Sequence, residues 1–507
     1  MLWIGTADAG LNRLDPVSGK VRRYLPDPAD PHALPDGLVP AVMEDRAGTL
    51  WVAARSRFGV LDPESGRFTP YRVAPGDPDE DRLNSIIRIH EDAAGSLWLG
   101  TSGAGMLKVD RQKRSAVQYK SDRTNRHSLR NNFVGAFHED PSGTLWFGTL
   151  GGGAHVTSTR PPKFEHQKHD PDNPNSLADD FTLSIFEDRE GFVWVGTSRT
   201  LNRWDRRSNT WRFFRNDPAD PTSISTGSVT AAQQDPDGTL WFGTFRCGLN
   251  RFDPATGHFK AYRFDADDPN SLSDDIVRSL LRDSSGVLWV GCWYNGLNRF
   301  DRDTGTFRRY PHDPGDPKSL SGGSVTDIYE DSANVLWVAT EGGGLNRFEP
   351  GTGSFTWFRN DPQNLASLAN DDVRVLCEDR SGRFWVGTAG GLCLFDRSTG
   401  HCRVYTQADG LPNDTIDGIL EDEAGNLWIS TNNGLSRFSP DTGTFRNYDV
   451  VDGLQEKEFH VFTVFCKSPR TGEMYFGGIN GFNVFDPGRV ADNPVKPPVV
   501  LTDLRLF

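Results

Sequence analysis

The chain has 507 residues, with 69 Asp and Glu against 55 Lys and Arg, giving a formal net charge of −14. That excess of carboxylates argues against nucleic acid or an anionic bilayer as a partner of this region. No apolar run reaches the length that a membrane-crossing helix needs, so no membrane contact is expected through this region either.

From the N-terminus, Leu2-Trp3-Ile4-Gly5 is a short apolar run closed by a small residue, and the pattern then recurs. Its aromatic markers are Trp3, Trp51, Trp98, Trp146, Trp194, Trp241, Trp289, Trp337, Trp385 and Trp428, with Tyr475 standing in for an eleventh. Successive tryptophans are 47 or 48 residues apart, except for one gap of 43. A fixed period of about 40–50 residues marks stacked supersecondary units.

The unit around Trp289 predicts four strands. Asp275 to Leu281 is β-prone and ends at the turn Asp283-Ser284-Ser285-Gly286. Val287-Leu288-Trp289-Val290-Gly291 follows, then Gly296-Leu297-Asn298-Arg299-Phe300-Asp301, then Thr306-Phe307-Arg308-Arg309-Tyr310 after a second turn. A Pro/Asp-rich stretch from Pro311 to Pro317 leads to the next unit. The second strand is apolar on both faces and is therefore expected to be covered on both. Four-stranded sheets stacked around an axis provide that cover, so the chain is read as an all-β protein of β-propeller type. A β-solenoid is the alternative, but its coils are shorter and usually lack four strands.

Eleven units exceed the range of about four to eight blades in one propeller. The unit after Trp146 lacks the Leu-Asn-Arg-Phe-Asp pattern and runs into Pro161-Pro162; the last unit passes into Pro494 and Pro497-Pro498 without a fourth strand. Residues 163–167 are expected to supply that strand by pairing with 482–485, closing a ring and removing two sheet edges. The expected division is a partial propeller of about four blades at 1–160 and a complete seven-bladed propeller at 161–490. Residues 491–507 would begin a further β domain, and the chain is read as a piece of a longer protein.

No catalytic set emerges. The turn Asp-x-x-Gly, as at Asp188/Gly191 and Asp422/Gly425, is similar to the Asp-box hairpin of sialidases, but a residue used in almost every blade cannot mark one active site. The Asp-Pro segments at Asp27, Asp217 and Asp313 lack the Asp-x-Asp-x-Asp-Gly loop and closing Glu of a calcium site. Gly342-Gly343-Gly344 opens no helix, so it is no phosphate cradle. The six cysteines form no Cys-x-x-Cys pair and are expected to be buried thiols, although Cys393 and Cys402 face one hairpin and leave a local bridge open. No metal or cofactor is expected.

The loops between second and third strands vary on this regular background, and binding residues concentrate on loops held by a rigid scaffold. Ligand-binding candidates are Arg199, Arg246, Trp293, Tyr294 and Glu341 in the complete propeller, with Arg55 in the corresponding loop of the partial one. Trp293 and Tyr294 offer apolar faces to a sugar ring; Arg199, Arg246 and Glu341 offer hydrogen bonds to hydroxyls or a uronate carboxylate. Rim filling between blades is the competing account. A propeller glycosidase or lyase would instead require ionisable side chains around the axis rather than Ser, Thr, Val and Leu alone.

The unit exemplified by Glu421-Asp422-Glu423-Ala424-Gly425-Asn426-Leu427-Trp428 resembles the two-component regulator propeller repeat. The last unit is the most specific: Asp452-Gly453-Leu454-Gln455, Glu458-Phe459, then Met474-Tyr475-Phe476-Gly477-Gly478-Ile479-Asn480-Gly481-Phe482. With Pro497-Pro498-Val499-Val500-Leu501-Thr502-Asp503, it is similar to the junction with a Tyr-rich, immunoglobulin-like domain. The resemblance implies the periplasmic sensor region of a hybrid histidine kinase anchored in the inner membrane, homodimeric, and responsive to an oligosaccharide or another small ligand. Other outputs, such as a diguanylate cyclase, follow the same repeat.

Overall fold

The computed structural model describes residues 1–55, 57–73, 83–111, 115–122, 128–140, 143–159, 162–459, 462 and 464–491. The expected start of a further domain lies outside these residues, Ala491 apart. The chain divides into two compact units between Pro161 and Pro162.

The C-terminal unit contains seven four-stranded sheets. In the first, Thr182–Glu187, Phe192–Thr197, Leu201–Asp205 and Thr210–Phe214 pair antiparallel in chain order; we call such strands a to d. Five more blades repeat this order, with a strands at Val229–Gln234, Val277–Arg282, Val325–Glu330, Val373–Glu378 and Ile416–Glu421. The seventh combines Phe465–Lys467, Met474–Gly478 and Gly481–Phe485 with Glu165–Gln167 from the start of the unit. Glu165 lies opposite Val484 and Gln167 opposite Phe482, the pairing expected from the sequence. Consecutive a strands pack on one another, and that of blade 1 packs on Phe465–Lys467 and Met474–Gly478, so the ring closes. Phe164 seals the closure, 1% exposed and edge-on to Phe485 at 4.8 Å and Tyr448 at 5.3 Å.

Among its described residues, the N-terminal unit holds two three-stranded and two four-stranded sheets. Its Trp51 and Trp98 are buried like those of the other unit, whereas Trp146 is 45% exposed.

Three recurrent contacts explain the repeated residues. The turn Asp accepts a hydrogen bond from the indole Nε1 of the Trp six residues later, at 2.6 Å for Asp188–Trp194 and 2.9 Å for Asp331–Trp337. Its other oxygen commonly takes the backbone N–H four residues on, so the carboxylate fixes the hairpin to the core ring. The Asp-box likeness is thus structural. In the Trp337 blade Asn334, at φ 58°, replaces the usual turn Gly, one of the few non-glycine residues that tolerate this region. The Asn of Leu-Asn-Arg-Phe-Asp is buried and ties down the connector: Asn298 accepts from the Ser273 N–H at 3.0 Å and donates to the Val290 carbonyl at 3.2 Å.

The third contact depends on the residue after the acidic one that closes strand c. Where it is Arg, the guanidinium reaches back to the preceding blade: Arg302 to Asp235, Arg397 to Asp331, and Arg206 to Glu473 and the Tyr475 hydroxyl. Arg111 does the same to Asp45 in the N-terminal unit. Pro254 and Pro350 occupy this position in other blades and supply no donor.

All six cysteines are free thiols. Cys393 replaces the connector Asn in its blade, where Sγ accepts from the Ala369 N–H at 3.4 Å.

Candidate functional site

Strand b runs antiparallel to strand a, so each b–c loop emerges where strand a begins; Val277 lies opposite Cys292, for example. Just inside that end the register slips by one residue in blades 1 to 6, leaving Leu183, Thr230, Arg278, Thr326, Arg374 and Asp417 unpaired in the ladder. Such bulges re-aim a side chain. Thr230 and Thr326 use theirs structurally, each donating to a carbonyl of the next blade, Val277 or Val373, at 2.6 Å.

The three charged bulge residues gather a polar cluster. Arg278 is 2% exposed, and its Nη1 donates to Glu341 Oε2 at 2.5 Å and to Ser324 Oγ at 3.1 Å. Its guanidinium lies 4.6 Å from the Trp293 ring centre and 5.8 Å from that of Phe462. Trp293 and Phe462 are 5.7 Å apart, so rings from blade 3 and from the segment entering blade 7 meet. Arg374 bonds Asp417 at 2.7 Å and Asp372 at 3.3 Å. Arg278 Nε, Asp417 Oδ2 and Asp372 Oδ1 are buried without a hydrogen-bond partner among the described residues.

Burial works against every charge here, and the pairings decide the outcome. Glu341 is held below the usual carboxylate range because Arg278 outweighs its partial desolvation. Desolvation wins at Asp417, which is pushed up to about 7 against the pull of Arg374.

Two of the sequence candidates, Trp293 and Glu341, meet at Arg278, and a third, Tyr294, adjoins Trp293. Trp293 is half-buried against Phe462 rather than exposed, while Tyr294 is 66% exposed beside it. Arg246, exposed and at φ 74°, stacks on Phe245, whose ring meets Trp293 at 6.2 Å. Arg199 is exposed in the blade 1 loop. Arg55 belongs to the N-terminal unit and pairs with Asp36 at 3.3 Å. Reading the loops alone overlooked Arg278, Arg374, Asp372, Asp417 and Phe462. Aligning the second position of each a strand would have shown Leu, Thr, Arg, Thr, Arg, Asp, an irregularity as marked as that of the loops. The inner strands therefore do carry ionisable side chains. A large cleft lies elsewhere, lined by Arg383, Phe384, Arg397, His401 and Arg403.

The two component regulator propeller family model matches residues 128–151, 176–199, 223–246, 271–294, 319–342, 367–390 and 410–433. From 176 onward these matches run through strands a and b into the b–c loop. The fold is similar to the extracellular domain of a putative hybrid two component system from B. thetaiotaomicron, at 23% identity and TM-score 0.64, covering 99% of this chain and 75% of that one. A second B. thetaiotaomicron extracellular domain, of a putative one component system, aligns at 21% identity and TM-score 0.53, covering 96% of this chain and 62% of that one. PorZ, a surface component of the type-IX secretion system of Porphyromonas gingivalis, aligns at 13% identity and TM-score 0.50 over 96% of this chain and 72% of its own. The chain thus spans three quarters of the first of these extracellular domains and less than two thirds of the second. At such identities the likeness concerns the fold. No curated protein matches the sequence.

Proposed function

We propose that this chain, built from two-component regulator propeller repeats, is the ligand-sensing region of an extracytoplasmic receptor, with a sugar as its ligand. One observation carries the reading: regular blades converge, at the end bearing their most variable loops, on a buried cluster with unpartnered polar atoms and an aromatic pair. Scaffold needs alone explain Thr230 and Thr326 but not Arg278 and Arg374. A ligand that engages the cluster in one arrangement of the receptor better than in another shifts their populations, and a homodimer coupled to a histidine kinase reads that shift. The two bacterial extracellular domains of like fold support this placement outside the cytoplasm. Isothermal titration of the protein with a panel of neutral and acidic oligosaccharides tests the reading, which fails if none binds.

A glycosidase or lyase is the second reading, favoured by Asp417, a buried carboxyl with a perturbed pKa of the kind found at reactive centres. It predicts cleavage of a polysaccharide that Asp417→Asn abolishes; intact polymer after prolonged incubation with the wild type disposes of it.

A further inference from the structure

Arg278 occupies a position where a threonine suffices to close one blade on the next, as Thr230 and Thr326 show. A fully desolvated guanidinium there is costly unless it is paired. Among the described residues its one ion-pair partner is Glu341, which sits on a b–c loop with its side chain 44% exposed. No other b–c loop of the ring carries a carboxylate: the corresponding residues run Ser198-Arg199-Thr200, Phe245-Arg246-Cys247, Trp293-Tyr294-Asn295, Ala389-Gly390, Asn432-Asn433 and Ile479-Asn480. Trp293 and Phe462 cover the ring-facing side of the guanidinium, and its Nε is left without a partner. Arg374 stands nearby with both carboxylates, Asp372 and Asp417, already engaged.

A buried Arg fork held by one half-exposed carboxylate, with a further donor unused, is a receptor for another carboxylate of better geometry. We infer that Glu341 is a resident stand-in, displaced when the carboxylate of a uronic-acid residue docks on Arg278 and the sugar ring lies against Tyr294. The inference rests on the sensor reading and assigns it a ligand class: acidic rather than neutral oligosaccharides.

Calorimetry tests this on the full chain with trisaccharides of galacturonate, guluronate and mannuronate, each beside its neutral methyl ester. At least one acid should bind, with its ester at least tenfold weaker. Glu341→Gln should bind that acid about tenfold tighter, because the competing carboxylate is gone, and Arg278→Met should lose binding. Should Glu341→Gln be too unstable to assay, Glu341→Asp keeps the charge but falls short of Arg278 and should also tighten binding. Equal binding of acid and ester, or unchanged or weaker binding by both Glu341 variants, overturns the inference. If only neutral oligosaccharides bind, the inference falls and the sensor reading stands; if nothing binds, both fall.

Discussion

Replacing Asp331 by Asn isolates what the recurrent turn carboxylate contributes. Asp331 accepts four hydrogen bonds: from the N–H groups of Ala333 and Val335, from Trp337 Nε1, and from Arg397 Nη1 of the following blade. Asparagine keeps an oxygen for the two turn amides but turns an NH2 toward two donors. The indole of Trp337, 1% exposed, is then stranded at a cost of about 1–3 kcal/mol. The charged bond to Arg397 adds less than its usual worth, because that guanidinium is 27% exposed and keeps Glu378 at 2.8 Å. The expected loss is about 2–4 kcal/mol, read as a lower urea midpoint with unchanged slope by near-UV circular dichroism. Asp188 makes the same indole bond but no ion pair among the described residues, and burial raises its pKa, so Asp188→Asn should cost less. At Asp331 the hydrogen bonds outweigh desolvation and lower the pKa. Its contribution is therefore complete above the unfolded value near 4 and lost as pH falls through the folded one, so the gap between wild type and variant should narrow in acid. An Asp331→Asn protein within about 0.5 kcal/mol of wild type, or one no worse than Asp188→Asn, refutes this role of the turn carboxylate.

Phe164→Ala should destabilise the C-terminal unit by about 3–5 kcal/mol, and hydrogen exchange should rise first in Gly481–Phe485, the strand its segment covers. Asp327 is half-buried, accepts the N–H groups of Ile328 and Leu376, and is pushed up to about 7 by desolvation of its carboxyl. A raised folded pKa gives stability that is complete below the unfolded value of about 4 and fades as pH rises through 7. Asp327→Asn should therefore flatten the fall in melting temperature between pH 5 and 8; an unchanged slope counts against a neutral Asp327. Burial pushes Cys292 and Cys466 up to about 12, so neither should react with iodoacetamide in the native protein, and both should after unfolding, as mass spectrometry will show.

The repeat made much of this molecule readable in one dimension. Trp at a constant interval, a turn Asp six residues before it and a closing small residue are local requirements of one blade, so they recur in the sequence and predict strands to within a residue or two. The seventh sheet was legible as well, because a unit lacking its fourth strand and an orphan β-prone stretch near Phe164 have each other as the simplest partner. The site was only half legible. Loop variability pointed to Trp293, Tyr294 and Glu341, but the meeting of Trp293 with Arg278 and Phe462 depends on closing the ring, which brings Phe462 against a residue 169 positions earlier. Whether an inner-strand side chain serves the neighbouring blade or faces a ligand is decided by the bulge that re-aims it, and a bulge is a property of paired strands. Threonine and arginine at that same position therefore do different work, one closing the scaffold and the other holding a charge that the scaffold does not need.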